Sequence, residues 1–372
     1  MIEGTCDARF AGLRDAFASN FAPGLDIGAA VAVYANGKLV ADLWGGHADA
    51  ARKKPWTGDT LVNVWSSTKG VMALAVAMLV ERGKLTYHRP IAEVWPEFAA
   101  NGKETIPLDL ALSHQAGLNG LSVPMSFEQV YQWTPYVDAL AAMAPLWTPG
   151  SRFVYHALTY GHLAGEPLRR VYGDGVGAYI AREIAGPLDT PFYVGLPESL
   201  HARVAELIEG PQASDWLTDV RASPYPQSAD NPAPVAVLPN QRAWRAAEIP
   251  GGNGHGTARS LAAIYGAMVD GSDRLLGKAA LAEAIRPRFD GVDAISGDPT
   301  CFAAGFCLKD ATYGNRASKR TFGHGGWGGA MAFADPDAGI GFAYVMNHML
   351  GFDGVDPRRK VLVDAVYDAL GA

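Results

Sequence analysis

Cysteine, basic clusters and long apolar runs are all scarce in this chain, and each scarcity closes off a class of protein. The three cysteines, Cys6, Cys301 and Cys307, form an odd and scattered set. They supply neither a disulfide framework nor a metal-ligand spacing and read as reduced thiols, with Cys301 and Cys307 as small core residues. The nine histidines contain no His-Glu-x-x-His pattern, so neither a metal nor another cofactor is expected. Lysine and arginine are outnumbered by aspartate and glutamate, 31 to 38, giving a net charge of -7. The densest basic run, Arg52-Lys53-Lys54, is too short to follow a phosphate backbone, so nucleic acid is not expected as a partner. The longest strongly apolar run, Val71 to Val80, falls short of the roughly 20 residues that a membrane span requires. The opening Met1-Ile2-Glu3-Gly4-Thr5 has neither the basic nor the apolar stretch of an export signal, and a soluble cytoplasmic protein is expected. Gly-x-Ser-x-Gly is also missing, which argues against the common strand-turn-helix route to a nucleophilic serine.

What is present is the composition of an ordinary globular protein, 49% hydrophobic and 19% charged, in a 372-residue chain long enough for about two domains. Asn36-Gly37 between the apolar runs Ala29–Tyr34 and Lys38–Trp44 predicts a β-hairpin. A helix is expected from about Ser66 to Arg82, stopping at Gly83, and its apolar residues cover nearly every face, so it must be buried. Helical patterns follow near 127–143, 157–172, 174–186 and 257–270, and the proline-rich stretch Ser223 to Asn240 reads as a loop. Strands are expected at Phe302–Leu308, Thr321–Gly325, Ala330–Ala334 and Ile340–Met346, then a helix at Pro357–Leu370. Strands at both ends and helices between them predict a largely antiparallel sheet flanked by helices, of α/β (α+β) class. Residues 1–85 and 257–372 would form that α/β domain, and 86–256 a mainly helical domain whose long loops cover the active edge.

Ser66-Ser67-Thr68-Lys69 is a Ser-x-x-Lys pattern. A serine hydroxyl needs a base beside it to become a nucleophile, and residues at i and i+3 share a helix face. Burial and the positive end of a helix dipole both disfavour an ammonium, which is what turns a lysine into a base. The competing reading is that these hydroxyls merely cap the helix. A lysine in the first turn opposes the dipole, however, and a rule broken in a buried element often marks function.

Several further motifs stand in order. They are Leu112-Ser113-His114-Gln115-Ala116-Gly117-Leu118, Pro149-Gly150 followed by Phe153-Val154-Tyr155, Gly256-Thr257-Ala258-Arg259, and Phe322-Gly323-His324-Gly325-Gly326. With Val64-Trp65-Ser66-Ser67-Thr68-Lys69-Gly70, this set resembles the serine β-lactamase and penicillin-binding-protein superfamily. It is most similar to the family VIII carboxylesterases, which have the class C β-lactamase-like fold. The resemblance implies Ser66 as nucleophile, Lys69 as base and Tyr155 as the tyrosine that opens the second motif, with Lys69 helping to stabilise its phenolate. Tyr136 and Tyr160 are the competing tyrosines. It implies an oxyanion hole made by the N–H groups of Ser66 and Trp327, or of Ser66 and Ala330 if Trp327-Gly328-Gly329 is the third motif. His324, Gly325 and Gly326 would edge the substrate site, with Trp65 and His156 as further substrate-binding candidates. His114 is expected to hold a loop, and His255 is another pocket candidate.

Two departures bear on substrate. Ala157 stands where the lactamase pattern has asparagine, and His324 where it has lysine. Those side chains would hold a lactam's amide and carboxylate, so the expected substrate is a small carboxylic ester, processed through an acyl-Ser66 intermediate. Acyl transfer to an alcohol or amine is the alternative, with weak β-lactamase or D-aminopeptidase-like activity and a catalytically silent binding protein behind it.

Overall fold

The computed structural model describes residues 2–371. Strands β1 (Ile2–Cys6), β2 (Gly28–Ala35), β3 (Lys38–Gly46), β4 (Phe322–Gly325), β5 (Met331–Asp335) and β6 (Ile340–Met346) form one six-stranded sheet. Its order is β1-β3-β2-β6-β5-β4 and every pairing is antiparallel. The chain ends meet at the centre, where β2 pairs with β6 and Ala32 faces Ala343. Both strands are apolar along most of their length and buried on both faces, as central strands covered on two sides must be. Asn36 and Gly37 both take positive φ, 48° and 75°, the geometry of a type I′ turn that matches strand twist.

Helices α1 (Ala11–Ser19) and α6 (Pro357–Leu370) pack together, while α5 (Ala258–Ala267) lies across β2 and β6. Helix α2 (Thr68–Glu81) is buried along nearly its whole length against α3 (Thr159–Tyr172) and the helix Lys278–Ala284. It ends where Gly83 enters the left-handed region at φ 67°. The short helix α4 (Asp215–Ala222) precedes the proline-rich loop, which contains a further turn of helix at Gln227–Asp230.

Four expectations need adjustment. Ser66 and Ser67 lie in the turn before α2 and not inside the helix. The helical stretch near 127–143 breaks into Phe127–Tyr131 and Thr134–Ala142 where Trp133 adopts φ 65°. The stretch near 174–186 is a short α-helix, Val176–Tyr179, that widens into a π turn at Ile180–Ala185. Phe302–Leu308 is not a strand of the sheet: Pro299–Phe302 pairs with Phe289–Val292, the chain turns at Gly305 (φ 94°), and Cys307 alone bridges Gly323. Among the described residues no helix is long and apolar enough to cross a membrane.

Candidate active site

The turn that carries Ser66 is shaped by strain and by hydrogen bonds that leave its hydroxyl free. Trp65, just before it, holds φ 45°, a costly conformation for a bulky residue, with its N–H donating to Asn63 Oδ1 at 3.1 Å. Ser67 Oγ donates to the His324 carbonyl at 3.2 Å, and Thr68 Oγ1 donates to the Trp65 carbonyl. No side chain caps α2, so the alternative that these hydroxyls serve as helix caps is not realised. They tie the Ser66 turn to β4 and to itself.

Lys69 is fully buried, and its Nζ lies 2.8 Å from Ser66 Oγ. It donates to the Gly251 carbonyl at 2.6 Å and forms no ion pair with any described residue. Burial with no compensating carboxylate pushes its pKa well below the ordinary lysine range. Tyr155 packs its ring 4.9 Å from Nζ. Burial raises its pKa, opposed by a hydrogen bond involving Ser66. Desolvation thus works against the expected Tyr155 phenolate. It favours the neutral form of both groups. Tyr160 donates its hydroxyl to the Lys69 carbonyl at 3.3 Å and supports the helix, whereas Tyr136 packs against His162 away from the serine.

β4 brings the third motif to the same place. His324 is 5% exposed, and its Nδ1 donates to the Gly325 carbonyl at 2.7 Å, leaving Nε2 without a partner. Burial first, and Lys69 second, depress its pKa to about 3, so the ring is neutral. Gly326 abuts the Ser66 turn so closely that a Cβ there would sit 2.3 Å from the Val64 carbonyl oxygen. A tight turn follows, with the Gly326 N–H donating to Ala330 at 2.6 Å and the Gly329 N–H to Gly326 at 3.1 Å. Among the described residues neither the Ser66 nor the Trp327 N–H has a protein acceptor, and both residues border the cavity. Ala330 is buried outside it.

The cavity in front of Ser66 measures about 550 Å³. Trp65, Tyr155, His324, Gly325, Gly326 and Trp327 line it, and Ala157 does so without offering an amide. His156 lies behind the wall: Nδ1 donates to the Val154 carbonyl, and Nε2 accepts from the Leu118 N–H at 3.1 Å. It braces the loop that His114 also holds through the His156 N–H, at 3.0 Å. His255 is likewise buried away from the cavity. Gly251, Trp216, Phe302, Asp310 and Arg359 line the cavity unforeseen, as does Cys307, expected to be a core residue. Pro250-Gly251-Gly252 reads as a turn, but nothing in its composition points toward a lysine 182 positions earlier.

Comparison with known proteins bears on this arrangement. Residues 17–365 match the Beta-lactamase family model. The esterase/beta-lactamase LipL of Mycobacterium tuberculosis is 36% identical over 366 residues, covering 94% of this chain and 83% of its own. A family VIII carboxylesterase crystal structure superposes with a TM-score of 0.92 at 38% identity, over 99% of this chain and 100% of that one. A penicillin-binding-protein homologue from Caulobacter crescentus does so at 0.89 and 39%, with the same coverage. The six-stranded sheet and the serine–lysine turn at its edge thus sit in a shared architecture, and the chain belongs to the beta-lactamase family.

Proposed function

We propose that this protein is a serine carboxylesterase that cleaves small carboxylic esters through an acyl-Ser66 intermediate. The observation that carries the reading is the buried, unpaired amine of Lys69 at 2.8 Å from Ser66 Oγ. Kept neutral by desolvation, it has a lone pair to accept the serine proton as Oγ attacks the ester carbon. The Ser66 and Trp327 N–H groups then receive the charge that develops on the carbonyl oxygen, worth a few kcal/mol for each such donor, roughly 3. Tyr155 donates its proton to the departing alkoxide and is replenished from the Lys69 ammonium. Water attacks the acyl-enzyme with the same pair running in reverse. His324 borders the cavity at the β4 edge as a neutral ring beside Tyr155, with its Nε2 buried.

The relatives named as esterases support this reading, and LipL carries both an esterase and a beta-lactamase name. So does the cavity itself, where Ala157 and His324 supply neither an amide nor a cation for a lactam's polar groups. The long middle segment, 86–256, is assigned to a covering domain, residues 1–85 and 257–372 to the α/β domain, and the protein to the cytoplasm. Turnover of p-nitrophenyl acetate and butyrate, and of nitrocefin, with fluorophosphonate labelling, tests the activity in wild type, Ser66→Ala and Lys69→Ala. Ester turnover lost in both variants is expected. Wild-type rates in Ser66→Ala would overturn the mechanism, and nitrocefin hydrolysed faster than the esters would overturn the substrate class.

A further inference from the structure

Beyond Tyr155 lies a second cavity of about 190 Å³, which shares Tyr155, Trp216 and Asp219 with the larger one. Its other walls come from Val220 on α4, Ser228 at the turn beyond it, and Ile295 in the loop after Phe289–Val292. Trp216, Val220 and Ile295 make it mostly apolar, and no lysine or arginine lines it. Asp293 also borders it, but its Oδ1 accepts the Ile295 N–H at 2.7 Å and the Ser296 N–H at 3.3 Å, which occupies it in its own turn. Trp216, Val220 and Ile295 belong to a small hydrophobic cluster that reaches Trp327.

We infer that the ester is divided between the two cavities, and that the smaller one receives its alcohol portion. The inference rests on the esterase reading. In acylation the Ser66 Oγ–carbon bond forms and the carbon–alkoxy bond breaks. The alkoxide takes the Tyr155 proton, and the Lys69 ammonium returns one to Tyr155. The leaving oxygen must therefore lie within hydrogen-bond reach of Tyr155 when the bond breaks. With the carbonyl oxygen directed to the Ser66 and Trp327 N–H groups, the remaining two substituents of the tetrahedral carbon must diverge. The acyl chain follows the β4 edge at Gly325 in the larger cavity, and the alcohol passes Tyr155 toward Trp216 and Ile295. A mostly apolar space of this size suits a ring or a branched chain and has no cation to hold an anionic alcohol.

The test crosses two substrate series in wild type, Ile295→Trp and Ile295→Ala, with esters followed by acid release. One series keeps the butyryl group and varies the alcohol through ethyl, isopropyl, cyclohexyl and benzyl. The other keeps ethanol and varies the acyl group from acetyl to octanoyl. Filling the cavity with Ile295→Trp is expected to lower kcat/KM for benzyl and cyclohexyl butyrate, relative to ethyl butyrate, by about tenfold or more. Opening it with Ile295→Ala should raise the same ratios, and ratios along the acyl series should follow wild type in both variants. Selective change in the acyl series assigns the cavity to the acyl group and overturns the inference. So does a uniform change in both series, or no change in either, with folding of each variant checked by thermal unfolding. No ester turnover in wild type, with Ser66 unlabelled by the fluorophosphonate, refutes the esterase reading itself and this inference with it.

Discussion

Lys69 brings its amine into the core where, among the described residues, the Gly251 carbonyl and Ser66 Oγ are its hydrogen-bond partners and no carboxylate compensates it. Folding therefore works against its protonation, and the sign of the linkage follows. A base whose folded pKa lies below its ordinary value, 10.5 here, binds fewer protons folded than unfolded. Stability lost to this residue is thus greatest at low pH and recovers as pH climbs toward that ordinary value. Lys69→Met should abolish ester turnover, by about 10³-fold or more. Its stability relative to wild type should shift in the variant's favour between about pH 9 and about pH 6; urea midpoints across that window measure the shift. In wild type kcat/KM should fall on acidification as the amine charges. His324 stands apart from that acid limb because its pKa of about 3 keeps the ring neutral throughout. His324→Asn removes the ring packed beside Tyr155 and should lower kcat/KM by about tenfold through misplacement of that tyrosine, while the acid limb keeps its midpoint. A pH–rate profile that loses its limb in this variant would assign the titration to the imidazole.

At the scale of elements, the site depends on how closely β4 approaches the nucleophile turn. Ser67 reaches the His324 carbonyl, and Gly326 leaves no room for a methyl group against Val64. Gly326→Ala must push the strand end away from Ser66, with an overpacking cost of roughly 1–3 kcal/mol. Because the Trp327 N–H moves with that strand end, activity should fall by about 10²-fold or more. Denaturation midpoints and ester kinetics on the same preparation check both effects. Much of this level was legible in advance, for reasons that are local. Asn36-Gly37 selects its own turn, and the all-round apolar surface of α2 demands burial. Ser66, Lys69 and Tyr155 were found through motifs that keep their order, and the structure gathers them at one cavity. Phe302–Leu308 misled because an apolar, β-prone run cannot report that Gly305 turns the chain and leaves Cys307 as a single bridge. His156 misled for a related reason. Its neighbour Tyr155 faces the serine, but its own nitrogens are spent on Val154 and Leu118. Gly251, Trp216 and the cavity around Ile295 were invisible, since only the fold brings them near Ser66.

Across the whole molecule, one buried cation joins both chain ends to the site. The Arg358 guanidinium, at the start of α6, is fully buried beside Asp356 at 2.8 Å and Asp26 at 3.6 Å. Its remaining N–H groups donate to the His348 carbonyl at 2.8 Å and the Gly328 carbonyl at 2.7 Å. Tyr344 on β6 donates to the same Asp26, which precedes β2, so the group spans the junction of the N- and C-terminal strands. Gly328 follows Trp327 directly, and Arg358 therefore also holds the turn that presents the Trp327 N–H, one of the two proposed oxyanion donors. Burying such a group is expensive, and removing a single partner leaves charges without compensation. Arg358→Met should accordingly cost about 3–5 kcal/mol, because Asp26 and Asp356 are stranded in the core. Adding Asp26→Asn and Asp356→Asn to Arg358→Met removes the stranded charges and should recover a good part of that loss. The recovery should be in stability only. With only the Leu350 N–H left on the Gly328 carbonyl, at 3.1 Å, the Trp327 turn stays less firmly held, and kcat for ester hydrolysis should remain depressed in the triple variant. Equilibrium unfolding and kcat measured side by side distinguish this from a purely structural ion cluster, in which activity would return in step with stability.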